Sequence, residues 1–362
     1  MHILRQLGSA ASRAGQRAAV PLVRRRSSRA AAAAAVLVGM TLAAMASAWG
    51  APAPPPTVRD ATVERAANLV EWGRLKEARD LLAAAVAVPA NAADARLLAY
   101  YAHVLIKFGD VSGGQRWAKR AVALDPQCAS CHLYLFEAMA TRARTLSTMR
   151  GIWELPKVKK QLEQATALDP HLDDVQWGWI EFDLGLPKAA GGGLDAARAH
   201  AAQLEQIDVV DGHLALASIA ASEGQPQQAL QEYRAAAAAV PGDPRGTFAL
   251  GKALYQRGQY AAAAPLLARA LALNPQSALY SGYQAANLVH LHQLEAARAV
   301  IAAGQKVHPD SRLAEYLTAQ ALKATGQDFA WARQLLASYL TVPPEPQQPT
   351  AAEGRELLAA LG

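Results

Sequence analysis

The chain is predicted to be an all-α solenoid of about eight helix hairpins closed by a C-terminal capping helix. Three observations carry this. A marker set returns every 34 residues, with Pro241, Pro275 and Pro309 each preceded by Ala229, Ala263 and Ala297 at one spacing. Further columns keep the same step: Ala217, Gly251 and Ala285; Tyr233, Leu267 and Ile301; Ala236, Ala270 and Gly304. The composition is 52% hydrophobic with few Phe and much Ala, which suits closely packed helices, and no segment alternates with the period of a strand.

The residue types account for the period. Small residues stand where two helices cross closely, bulky ones fill the gap beside them, and proline stands where a helix has ended. Units begin near Val210, Pro244, Ala278 and Arg312, and the last carries one extra residue, so that Ala332 takes the place of Ala297. Earlier units run from Thr62 to Pro89 and from Ala95 to Pro126, the latter with Gly109 in its turn and Gly114 in a small-residue slot. Two irregular units fill 129–209. The first has about ten extra residues around Thr145 to Leu155 relative to the repeat period, and the second is stretched by a loop from Gly185 to Gly193. After Pro343, Pro344 and Pro346, the segment Ala351 to Leu361 is expected to be the short capping helix that an open stack needs. The solenoid thus occupies 59–344, with cap and tail at 345–362.

The stretch Gly246 to Pro275, GTFALGKALYQRGQYAAAAPLLARALALNP, resembles the tetratricopeptide repeat: small residues at 251, 263 and 270, aromatics at 255 and 260, and Gly258 in the turn. The resemblance implies a right-handed superhelix whose concave face holds a protein or peptide. The family's groove-facing positions fall on Arg96, His103 and Lys107, on Arg245, Phe248, Lys252, Tyr255 and Gln256, on His290, and on Tyr316, Gln320 and Lys323. Aromatics and cations dominate this lining, which suits an extended peptide carrying carboxylates. The run GLPKAAGGGLDAARAHA, preceded by ATALDP, is similar to a segment of exported bacterial repeat proteins, including partners of tripartite periplasmic uptake transporters. That likeness covers the two irregular units and implies a transporter accessory role as an alternative.

Residues 1–48 differ from the rest. Seven Arg and no acid precede an uncharged run from Ala30 to Ala46, and Ala46-Ser47-Ala48 forms an A-x-A cleavage pattern. A secretory signal is expected here, with an uncleaved anchor as the alternative, followed by a proline-rich spacer at 49–58. The protein is therefore expected in the periplasm or cell envelope, touching a membrane only through an uncleaved leader. Without those seven arginines, 29 Lys plus Arg face 30 Asp plus Glu, so the basicity belongs to the leader and no nucleic-acid partner is expected.

Both cysteines lie in Cys128-Ala129-Ser130-Cys131-His132, which matches the C-x-x-C-H pattern of c-type haem attachment. The same residues open the first helix of a unit, where His132 occupies an inward-packing position. Cysteines three apart at a helix start also suit a disulfide or, with the thiol pKa lowered by the helix N-terminus, a redox dithiol. The three readings remain open at this stage, with no cofactor as the main expectation and haem c as the alternative. Gly246 to Ala253 nearly spells a phosphate-binding loop, but Ala253 replaces the required Ser or Thr. No H-E-x-x-H or G-x-S-x-G motif occurs, and the nine His are scattered. The sequence thus points to a non-enzymatic adaptor without catalytic residues or metal, the alternative being a redox protein built on Cys128, Cys131 and His132.

Overall fold

The computed structural model describes residues 58–362 except 147 and 187–191. The expected leader, nearly all of the spacer, and the middle of the 185–193 loop lie outside the described residues. Those described form 17 α-helices, the first sixteen in eight hairpin pairs, with no strand among them. The pairs are α1 (Val58–Glu71) with α2 (Leu75–Val86), α3 (Ala95–Phe108) with α4 (Val111–Leu124), α5 (Ala129–Thr145) with α6 (Thr148–Leu168), and α7 (Asp173–Gly185) with α8 (Leu194–Ile207). They continue as α9 (Val209–Ser222) with α10 (Pro226–Ala239), α11 (Pro244–Gln256) with α12 (Tyr260–Leu273), α13 (Ala278–His290) with α14 (Leu294–Val307), and α15 (Leu313–Thr325) with α16 (Phe329–Tyr339). Helix α17 (Ala351–Ala359) packs on α16 as the expected cap.

Local chemistry sets the helix ends. Asp94, Asp110, Asp208, Asp243 and Ser277 each accept a backbone N–H at the start of their helix, satisfying donors that the first turn leaves unpaired. Within the hairpins the chain turns through left-handed backbone at Gly224, Gly258 and Gly326, and His292 holds the same place in the unit between. The extra residue of the last unit is absorbed by Asp328, also left-handed at φ 36°, whose carboxylate caps Trp331 N and binds Arg298 at 2.5 Å. The small-residue columns lie at helix crossings, and Ala217, Ala263, Ala285 and Ala297 are fully buried. At Gly246 a Cβ would stand 2.4 Å from the Ala236 carbonyl oxygen, so only glycine lets α11 approach α10.

Two departures from a uniform stack bear on function. Helix α15 packs along α13 and hardly touches α14, so the last first-helix lies over the face that α13 would otherwise present to the groove. Gly282 permits this, since a Cβ there would meet Leu317 Cδ1 at 2.8 Å, and Ala286 and Val289 are buried beneath α15. The second departure is a clasp between the ends of the solenoid. From the tip of the first hairpin, Arg74 pairs with Asp310 at 3.2 Å and Glu71 accepts from Asn274 Nδ2 at 3.1 Å. Lys76 N donates to Glu345 Oε2 at 3.1 Å, and the Lys76 ammonium donates to the Pro343 carbonyl. Those partners sit in the loops after α12, α14 and α16, so the stack returns onto its own first unit.

Candidate functional site

The predicted inner face is made of the first helices of successive units, and α11 carries five of its predicted positions. Positions 2, 5, 9, 12 and 13 of α11 place Arg245, Phe248, Lys252, Tyr255 and Gln256 on one stripe, as the helical period requires. These residues do not share one role. Arg245 is bound by three carboxylates of its own chain: Asp211 at 2.7 Å, Asp208 at 2.8 Å and Asp243 at 2.5 Å. Burial works against its charge, but the surrounding carboxylates raise its pKa above the usual guanidinium value. Arg245 is thus a structural knot between units, and its charge is already matched.

Phe248 is buried and stacked on Tyr280 with centroids 4.2 Å apart. Further along the stripe the rings are half-buried. Tyr255 meets Tyr260, Tyr283 and His290 edge-on at 5.5, 5.4 and 5.5 Å, and His290 stacks flat on Tyr260 at 4.0 Å. The Lys252 ammonium lies 5.4 Å from the Tyr283 centroid, within cation–π range. Burial pushes the Tyr255 hydroxyl up to about 12 and holds the His290 imidazole below its usual pKa, so both rings are uncharged at neutral pH beside the Lys252 ammonium. It therefore offers apolar rings, hydroxyls and one cation.

The other predicted groove residues fall into three groups. His103 and Glu137, one period apart, are joined at 2.5 Å beside the Tyr134 ring. Burial pushes Glu137 up, but His103, their hydrogen bond, Lys107 and Arg144 outweigh it and hold the carboxyl below its usual value. On α15, Tyr316 leans on Tyr339 at 5.1 Å and packs on the apolar cluster of the last units, which Tyr255 also touches. Arg96, Gln256, Gln320 and Lys323 are exposed. Tyr283 and Tyr260 complete the ring cluster without belonging to the predicted set. Tyr283 stands at an off-groove position and enters by packing its ring on Phe248 and Tyr255 of α11.

Cys128 and Cys131 form a disulfide with Cα atoms 5.2 Å apart, and both are buried. Cys128 caps α5 by accepting Cys131 N at 3.1 Å. His132 is buried in the inward slot expected of it, with Nδ1 2.9 Å from Gln161 Oε1 and Nε2 3.1 Å from the Pro126 carbonyl. The bridge spans only three residues of sequence, and the loop-entropy relation puts its effect at about 2 kcal/mol or less. Reduction with alkylation is therefore expected to shift the urea midpoint slightly and leave the helical circular dichroism unchanged; collapse of the helical signal would contradict this. Among the described residues no three His, Cys, Asp or Glu side chains gather as a metal site, and no helix is long and apolar enough to cross a membrane.

Residues 220–287 match the tetratricopeptide repeat family. The chain is similar in structure to yeast Tom70, at 15% identity and a TM-score of 0.56, covering 85% of this chain and 65% of Tom70. It is also similar to a thermophilic TPR protein of Thermus thermophilus, at 23% identity and a TM-score of 0.46, covering 54% of this chain and 99% of the other. None of the curated proteins matches the sequence.

Proposed function

We propose that this chain, a tetratricopeptide repeat protein, is a non-enzymatic adaptor that holds a protein or peptide partner on its inner face, in the periplasm or cell envelope. The observation that carries the reading is the half-buried cluster of Lys252, Tyr255, Tyr260, Tyr283 and His290, prepacked ring against ring. Rings already fixed by neighbours lose little conformational freedom on binding, and a cation set among them favours a segment with a carboxylate beside apolar side chains. Export rests on the arginine-rich, then uncharged, residues 1–48 and the pattern at Ala46 to Ala48.

Substituting Lys252, Tyr255 and Tyr316 together by alanine is expected to weaken a partner captured from the envelope fraction by about tenfold or more. Undiminished binding by a folded variant would remove the inner face from the account. At the cysteines, two buried sulfurs and a histidine with both ring nitrogens engaged support a structural disulfide over haem attachment or a working dithiol. The intact mass of the native protein tests this, because a haem-sized increment would reverse it.

A further inference from the structure

The third hairpin carries a surface that the inner-face reading does not use. Its helices have 17 and 21 residues, against 14 and 14 in the second hairpin, and the extra length lies at the turn. The seven extra residues of α6 project by about 10 Å at 1.5 Å per residue. On α6, Val158 and Leu162 are buried in the hairpin, and Gly151 lies where a Cβ would meet the Ala143 carbonyl oxygen at 3.2 Å. At about 100° per residue, Met149 and Trp153 fall on the opposite face and Ile152 on its flank. They are 67%, 54% and 75% exposed. The other large apolar side chains exposed among the described residues, such as Leu124, Val240 and Phe329, are scattered over separate helix ends.

The charge around this face is one-sided. Between residues 137 and 163 the cations are Arg142, Arg144, Arg150, Lys157, Lys159 and Lys160, and the carboxylates are Glu137, bound to His103, Glu154, which pairs with Lys157 at 3.2 Å, and Glu163, which pairs with Lys159 at 3.4 Å. Arg142, Arg144, Arg150, Lys157 and Lys160 are exposed. A second copy meeting this face through its own would bring cations against cations. An exposed apolar face flanked by arginine and lysine, with an indole on it, instead suits an anionic lipid surface, where rings and aliphatic side chains enter the interfacial layer and cations meet phosphates.

We propose that the tip of the α5–α6 hairpin is a membrane-surface contact for anionic phospholipid. Trp153, Ile152 and Met149 enter the headgroup boundary, and Arg142, Arg144, Arg150, Lys157 and Lys160 supply the attraction. The contact lies away from the ring cluster of α11 to α13, so it stands or falls independently of the adaptor reading.

The test is co-sedimentation of the purified chain lacking residues 1–48 with vesicles of equal phosphatidylglycerol and phosphatidylcholine, compared with phosphatidylcholine alone. Binding is expected to the anionic vesicles only, and to weaken as salt screens the cations. The double variant Ile152→Ser and Trp153→Ser, whose side chains support no core, is expected to bind about tenfold less with unchanged circular dichroism. Arg150→Gln with Lys157→Gln and Lys160→Gln should remove most of the salt-sensitive part. Failure of the wild type to sediment with anionic vesicles at low salt would overturn the proposal, as would equal binding to both vesicle types or full binding by the Ile152 and Trp153 variant. Light scattering that shows a dimer dissolved by Trp153→Ser, without vesicle binding, would assign the face to a second copy instead.

Discussion

Replacing Arg245 by alanine is expected to destabilise the protein by about 3 kcal/mol or more, the range seen when one partner of a buried charge network is removed. The change would leave Asp208, Asp211 and Asp243 facing each other without their shared cation, and the Asp211 carboxylate is only 4% exposed. Glu71 of the first unit faces the same cluster: burial pushes its carboxyl up, Arg245 pulls it down and Asp243 pushes it up again. The repulsion would therefore extend into the clasp. The urea midpoint followed by circular dichroism measures the effect. Lysine at 245 should restore only a fraction, since an ammonium cannot present several fixed donors to three carboxylates. Adding Asp211→Asn to Arg245→Ala should recover part of the loss. A midpoint within error of wild type would show that the network is structurally idle.

The second large effect concerns Asp183, near the end of α7. Its carboxylate is 3% exposed, Oδ2 makes no hydrogen bond, and His200 Nε2 lies 3.8 Å away. Burial pushes the carboxyl up to about 6 from its usual 3.8, with Lys159 pulling the other way, and burial also holds His200 below its usual pKa. An acid whose pKa is higher in the folded state binds more protons folded than unfolded between those two values. Stability at this site therefore rises as pH falls from about 6 to about 4 and is constant outside that window. Asparagine removes the charge while keeping the shape. Asp183→Asn is thus expected to stabilise the protein by up to about 3 kcal/mol at pH 8. The advantage should shrink to a small remainder by about pH 4, close to the unfolded value of 3.8, and vanish below it, where wild-type Asp183 is protonated in both states. Urea midpoints of both proteins at the two pH values decide the matter; an advantage of equal size at both would mean that charge is not its source.

Much of this architecture was legible because a repeat writes its packing into columns. The buried Ala217, Ala263 and Ala285, the turn at Gly258, and the capping helix after Pro346 all follow from local rules applied at a fixed step. Some of the site was legible in the same way, since His103 with Glu137 and Asp211 with Arg245 are pairs one full period apart in sequence number. Assigning Arg245 to a ligand treated one column position alone and passed over the acid 34 residues earlier. The displacement of α15 onto α13 left only a weak mark, Gly282 and Ala286 at places where a groove would carry larger side chains. The contacts of Glu71, Arg74 and Lys76 with Asn274, Asp310 and Glu345 left none. They depend on the small rotation between units summed over the whole stack, which no single window of sequence contains.

Those contacts change how such an array can come apart. In an open row of repeats each unit leans only on its neighbours, so the two terminal units have one support each and unravelling begins there. Here the tip of the first hairpin is a neighbour of the loops that close the sixth, seventh and eighth units. The row has acquired the boundary condition of a loop of beads: the first hairpin cannot leave the stack without giving up contacts to the last three units, nor they without giving up contacts to it.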